Sequence, residues 1–173
     1  MPDYIDKIPV DIKSGNLLII EPTHGAIHDG VNFNATFAGT TSTSMNMMVT
    51  TGTAGSGYIH FTASVEANKA FTFNFCEAPT ATGGTAITSY NHLRSSAVTS
   101  PVTVTKNPTV TTIGTTILES HIVGATNPAS KVGGGAEHKN EWLLKPSTKY
   151  LLNVVDATAT TAVIIAANYY YRK

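Results

Sequence analysis

Charge is scarce in this sequence. Asp, Glu, Lys and Arg make up 13% of its 173 residues, against roughly 25% in ordinary soluble domains. The formal net charge is zero. Lys and Arg are scattered, so there is no basic stripe for a nucleic-acid backbone, and no nucleic-acid partner is expected. Cysteine is almost absent. Cys76 stands alone, which excludes an internal disulfide framework and leaves no Cys/His set for a structural zinc. Long hydrophobic runs are missing too. None approaches the ~20 residues of a membrane-spanning helix, so no membrane is expected. Met1 to Ser14 holds Asp3, Asp6, Lys7, Asp11 and Lys13 without an apolar stretch. No secretory leader is read there, and synthesis in a cytosol is expected.

Threonine fills much of the space that charge leaves, with Asn, Ser and Gly behind it. It is β-branched and suits a pleated, half-exposed surface. Low charge also suits a surface that packs on other protein, because interface centres are depleted in charge. Apolar residues alternate with the polar ones. Ile59, Phe61, Ala63, Val65 and Ala67 share one face, and Tyr58, His60, Thr62, Ser64 and Glu66 the other. Phe71, Phe73 and Phe75 alternate with Thr72, Asn74 and Cys76. A period of two means a strand with one dry and one wet face. Such strands form antiparallel sheets that stack face to face.

The same pattern places strands at 16–21, 31–38, 45–49, 58–67, 69–76, 85–93, 102–105, 114–123, 149–155 and 162–171. About ten strands separated by turn signals predict an all-β antiparallel sandwich, jelly-roll-like, as a single domain over residues 15–173. Ala67-Asn68-Lys69 is short enough to close a hairpin, and the last two strands read as another. Pro101 and Pro108 confine the 102–105 strand to an edge or a short segment. Residues 127–140, with Gly133-Gly134-Gly135, read as the longest irregular stretch. Residues 1–14 read as an extended N-terminal arm. Its Ile5, Ile8, Val10 and Ile12 would dock on a neighbour, the plainer alternative being an unordered terminus.

Few residues suggest chemistry. His24 and His28 would share one helix face, but Pro22, Gly25 and Gly30 argue for a loop, and no metal site is expected. Gly55-Ser56-Gly57 lacks the spacing of a nucleophile elbow and reads as a turn. The Gly-rich run before Lys139 lacks the ending of a phosphate loop and reads as a mobile loop. Cys76, in a strong strand pattern, reads as a buried inert thiol. Tyr169, Tyr170 and Tyr171 put aromatics on both faces of one strand. Either a neighbour covers the outer ring or it stands exposed, and we read these three as interface residues. No catalytic residue and no cofactor are expected.

One series of motifs carries a resemblance. Thr82-Gly83-Gly84-Thr85 precedes Tyr90-Asn91-His92-Leu93-Arg94-Ser95-Ser96. Gly114-Thr115 and Gly133-Gly134-Gly135 follow, and then Glu141-Trp142-Leu143-Leu144-Lys145-Pro146-Ser147-Thr148-Lys149-Tyr150. The series, over about residues 55–171, resembles small virion structural proteins of tailed bacteriophages. In that group a Gly-Gly-Thr turn precedes an Asn/Arg-rich segment, and a Glu-Trp block precedes a last aromatic strand. His92-Leu93 and the triple tyrosine depart from the pattern. The resemblance implies a head decoration, or cement, protein on the capsid exterior. Its partners would be the major capsid protein and copies of itself, as a homo-oligomer expected to be trimeric. The alternative is a tail, fibre or baseplate component that binds host surface glycan.

Overall fold

A computed structural model describes residues 21–41, 43–123, 134–137, 140–156 and 161–172. Ile5, Ile8, Val10 and Ile12 of the expected arm lie outside these residues, as does most of the expected strand at 16–21. The described chain opens with helix α1 (Pro22–His28). The strands β1 (Asn32–Thr41), β2 (Ser44–Thr51), β3 (Tyr58–Ala67) and β4 (Phe71–Glu77) follow. Next come the short β5 (Thr80–Thr82), β6 (Thr85–Ile87), β7 (Tyr90–Asn91), β8 (Val102–Lys106) and β9 (Thr109–Thr112). The last are β10 (Thr116–Val123), β11 (Gly134–Glu137), β12 (Trp142–Leu144), β13 (Lys149–Asp156) and β14 (Thr161–Arg172).

These strands make an all-β sandwich of antiparallel sheets. The first sheet runs β11-β3-β14-β1-β7, with β12 also on β3. The second runs β10-β4-β13-β2-β8-β6, and β5 and β9 form a separate ribbon. The main pairings nest: β1 with β14, β2 with β13, β3 with β11 and β12, β4 with β10. From β1 to β4 each strand therefore falls in the sheet opposite to the one before, and so do β13 and β14. The expected hairpins are corrected by this. β3 and β4 do not pair, and neither do β13 and β14; each turn carries the chain from one sheet to the other. A period of two fixes which face of a strand is dry but does not choose its neighbour. Crossing over lets β3 and β4 bury their alternate residues against each other from opposite sides of one core.

Two other expectations change. The segment 85–93 divides into β6, on the second sheet, and β7, on the first. Within 127–140, Gly134–Glu137 is not a loop: it pairs with Ser64–Ala67 of β3.

The inner faces meet in one cluster that includes Phe33, Phe61, Phe71, Phe73, Phe75, Tyr150 and Tyr169. Phe61 and Phe75 stack across the two sheets at 5.3 Å, and Tyr150 stacks on Phe75 at 5.6 Å. A second, smaller cluster lies outside the second sheet. There Ala81 and Val110, from the β5–β9 ribbon, cover Met48, Cys76 and Leu151. Cys76 is thus buried on the outer face, and burial pushes its thiol up. The ribbon crosses so closely that side chains are excluded at two points. A Cβ on Gly84 (φ +91°) would sit 2.9 Å from the Lys106 carbonyl, and one on Gly114 (φ +121°) would strike the Glu77 carbonyl.

Phe73 is 1% exposed at the centre of this packing. Phe73→Ala should lower stability by about 3–5 kcal/mol, the range for emptying a buried aromatic site. Chemical denaturation of the parent and the variant measures it.

Candidate functional site

The outer face of the second sheet has two halves. The β5–β9 ribbon covers one. Across the other, four side chains in register form a ladder over four strands. Ser120 Oγ donates to Asn74 Oδ1 at 2.7 Å, Asn74 Nδ2 to Asn153 Oδ1 at 3.3 Å, and Asn153 Nδ2 to Asn46 Oδ1 at 2.8 Å. The next row runs Ile122, Thr72, Val155 and Ser44 in the same register. Ile122 is 81% exposed and Val155 40%. Neither row contains a charged residue. The sequence signal was the Asn at alternating wet positions of otherwise apolar strands, but only strand pairing shows that they align.

The outer face of the first sheet is small-featured in its middle. Thr36, Ala38, Ile164, Ala166 and Ser64 project from it, and Asn34 Nδ2 donates to Asn168 Oδ1 at 2.8 Å. At one end Tyr170 points outward but is only 6% exposed. His60 stacks on its ring at 4.4 Å. Its hydroxyl meets both oxygens of Glu141, at 3.0 and 3.1 Å, and Glu141 also pairs with His60 Nδ1. The outer ring is thus covered by the chain's own residues. Tyr169 points inward, 1% exposed, stacked on Phe33 at 5.8 Å and bonded to Ser100 Oγ at 2.7 Å. Tyr171 is half-buried and lines a groove of about 810 Å³ with Tyr58, Leu143, Arg172 and α1 residues. Of the three expected interface tyrosines, Tyr171 alone borders an open surface of this size.

The Glu141–Tyr150 block works as a set of locks. Trp142 packs on Phe75 and donates Nε1–H to Glu119 at 3.3 Å, and Glu119 also pairs with His121. Lys145 Nζ bonds Glu77 at 2.7 Å, and the Lys145 N–H donates to the Tyr150 hydroxyl at 2.8 Å. Thr148 Oγ1 donates to the Pro146 carbonyl at 2.9 Å, closing the expected turn. Thr51 Oγ1 ties that turn to β2 through the Lys145 carbonyl at 2.7 Å.

His24 and His28 fall on a helix, not on the expected loop. Pro22 sits in its first turn, where its missing N–H costs nothing, and Ala26 anchors it by burial. The two Nε2 atoms are 2.9 Å apart. Among the described residues no group of three or more His, Cys, Asp or Glu is placed to hold a metal. Residues 54–56 form a short turn, as expected. No family model, curated protein or solved structure matches this chain.

Burial first, and then the bond to Glu141, push the Tyr170 hydroxyl up to about 12. A phenol held above its unfolded value of about 10 stabilises the fold while neutral. That contribution is complete below the unfolded value and is lost as pH rises toward the folded one. Tyr170→Phe keeps the ring and removes the ionisation. Its thermal midpoint should therefore fall less steeply than the parent's over the pH range from about 9 to 12, as read by circular dichroism.

Proposed function

We propose that this chain is a virion structural protein, a head decoration protein that binds the outer surface of a capsid without covalent bonds. Its partners are the major capsid protein and neighbouring copies of itself. The observation that carries the reading is the uncharged half of the second sheet's outer face. Docking there strips no ion of its water, a cost that usually offsets the gain from pairing charges. Ile122 and Val155 supply aliphatic surface to bury. The amides beside them already bond one another, so covering them orphans few polar groups.

The nested strand order supports a jelly roll, an architecture found in viral capsid and lectin domains. Fold does not assign function, so the face carries the argument and the topology accompanies it. Each His–Glu pair is tied into the fold, Glu141 by the Tyr170 hydroxyl of β14 and Glu119 by the Trp142 ring N–H of β12, which suits a structural use. A ring of three copies would offer three such faces together, and linked contacts multiply retention. The arm at 1–14, with Ile5, Ile8, Val10 and Ile12, would add a second contact.

The test is sedimentation of the protein with capsids stripped of it. The parent should pellet with capsids. Ile122→Lys and Val155→Lys, at exposed positions, should fold as the parent does and lose roughly tenfold or more in affinity, as expected for the centre of an interface. Deleting residues 2–13 should lower retention further. Parent-like pelleting of the two lysine variants would remove this face from the contact.

A further inference from the structure

Between β4 and β10 the chain detours along the β1 edge of the first sheet, and there two hollows meet at Tyr90. One, of about 450 Å³, has Asn34 and Thr36 beneath it, Thr88 beside it and Lys106 in its lining. The other, of about 380 Å³, is lined by Arg94, Ser96, Thr99 and Ser100 among others. Tyr90 lines both and is 56% exposed. Each volume is in the range of ligand sites.

The lining is consistent in chemistry. Among the described residues no Asp or Glu borders either hollow. Among the described residues no carboxylate pairs with Arg94 or Lys106. The Arg94 guanidinium lies 5.2 Å from the Tyr90 ring centre, and the Lys106 ammonium 5.5 Å from that of Phe37. The Asn34 amide is held in place, donating to Asn168 at 2.8 Å and accepting from Thr36 at 3.0 Å.

We propose that this groove binds an acidic oligosaccharide, a chain of uronic acid units. A pyranose ring offers an apolar C–H face for Tyr90 to carry. Its hydroxyls match Asn34, Thr36 and Thr88 on one side and Ser96, Thr99 and Ser100 on the other. Its carboxylates match Arg94 and Lys106 in the two hollows, and a guanidinium can grip a carboxylate with two bonds. A neutral glycan leaves both cations unused. An acidic peptide has no ring face for Tyr90. The groove lies at the edge where β1 and β7 meet β6 and β8 and shares no residue with the uncharged rows on β10, β4, β13 and β2, so this inference stands apart from the capsid reading.

The experiment titrates the full ¹⁵N-labelled chain with tetragalacturonate, its methyl ester and tetraglutamate, following amide shifts. Tetragalacturonate should give saturable shifts centred on Tyr90, Arg94 and Lys106. Tyr90→Ala and Arg94→Gln should each weaken binding roughly tenfold, the factor of one lost interaction of about 1.4 kcal/mol. Tyr90→Phe should bind as the parent does, and the ester should bind more weakly. Absent or non-saturating shifts at these residues overturn the proposal. So does parent-like binding by Tyr90→Ala, and so does equal binding of tetraglutamate, which would make this a peptide site.

Discussion

The sandwich depends on its last two strands being its central ones. β14 lies between β1 and β3, and β13 lies between β2 and β4. Neither sheet has a continuous middle until the C-terminal segment has arrived. Tyr150 and Tyr169, the largest fully buried side chains among the described residues, come with it. Tyr169 joins β14 to β1 through Phe33 and to the 78–115 detour through Ser100. Tyr150 joins β13 to β4 through Phe75 and donates its hydroxyl to Glu77 at 3.3 Å. Such pairings are distant in sequence, and folds built on them form slowly, because loop closure precedes the contacts that reward it.

With so little charge to spend, the fold settles its polar groups among themselves. The Ser120–Asn74–Asn153–Asn46 ladder, the Asn34–Asn168 pair and the Thr51 bridge to the Lys145–Thr148 turn all join neutral groups across strands. Asn91 does the same for the detour, donating Nδ2–H to the Gly30 carbonyl at 2.6 Å, which pins it to the end of α1. Most of the described charged side chains sit at strand ends and turns, and Glu77, Glu141 and the mid-strand Glu119 each clasp a cation or an aromatic hydrogen-bond donor. The uncovered half of the second sheet's outer face is thereby left free of ions.

Much of this was readable from residue order. The alternation of 58–67 and of the 71–75 phenylalanines gave the strands and their dry faces correctly, and the Lys145–Thr148 turn was plain from Pro146. Which strands lie together was not readable, since β3 and β4 look the same whether they pair or face each other. The burial of Tyr170 on a wet face was hidden because His60, on β3, and Glu141, just before β12, are both distant from it in sequence. The α1 helix was hidden because its glycines and proline argue against it locally, while tertiary packing of Ala26 decides the matter. The Asn ladder was visible as residues and invisible as an alignment. The groove at Tyr90 needed the detour to be folded back beside β1, which no periodicity records.

The sheet edges bear on how copies of this protein could meet. One margin of the first sheet is the two-residue β7, and the other is divided between β11 and β12. The second sheet ends in the three-residue β6 and in β10, whose register breaks between Ile117 and Glu119. Among the described residues β6, β7, β11 and β12 are too short, and β10 too irregular, to offer a long, regular row of backbone donors and acceptors to an incoming chain, the usual template for fusing sheets into fibres, whereas β1 beyond Asn34 has no described strand on its β7 side. At the short and irregular margins, copies at high local concentration are steered away from strand addition and toward contacts through side chains alone. Contacts of that kind can be made and released without opening either partner's hydrogen-bonded frame.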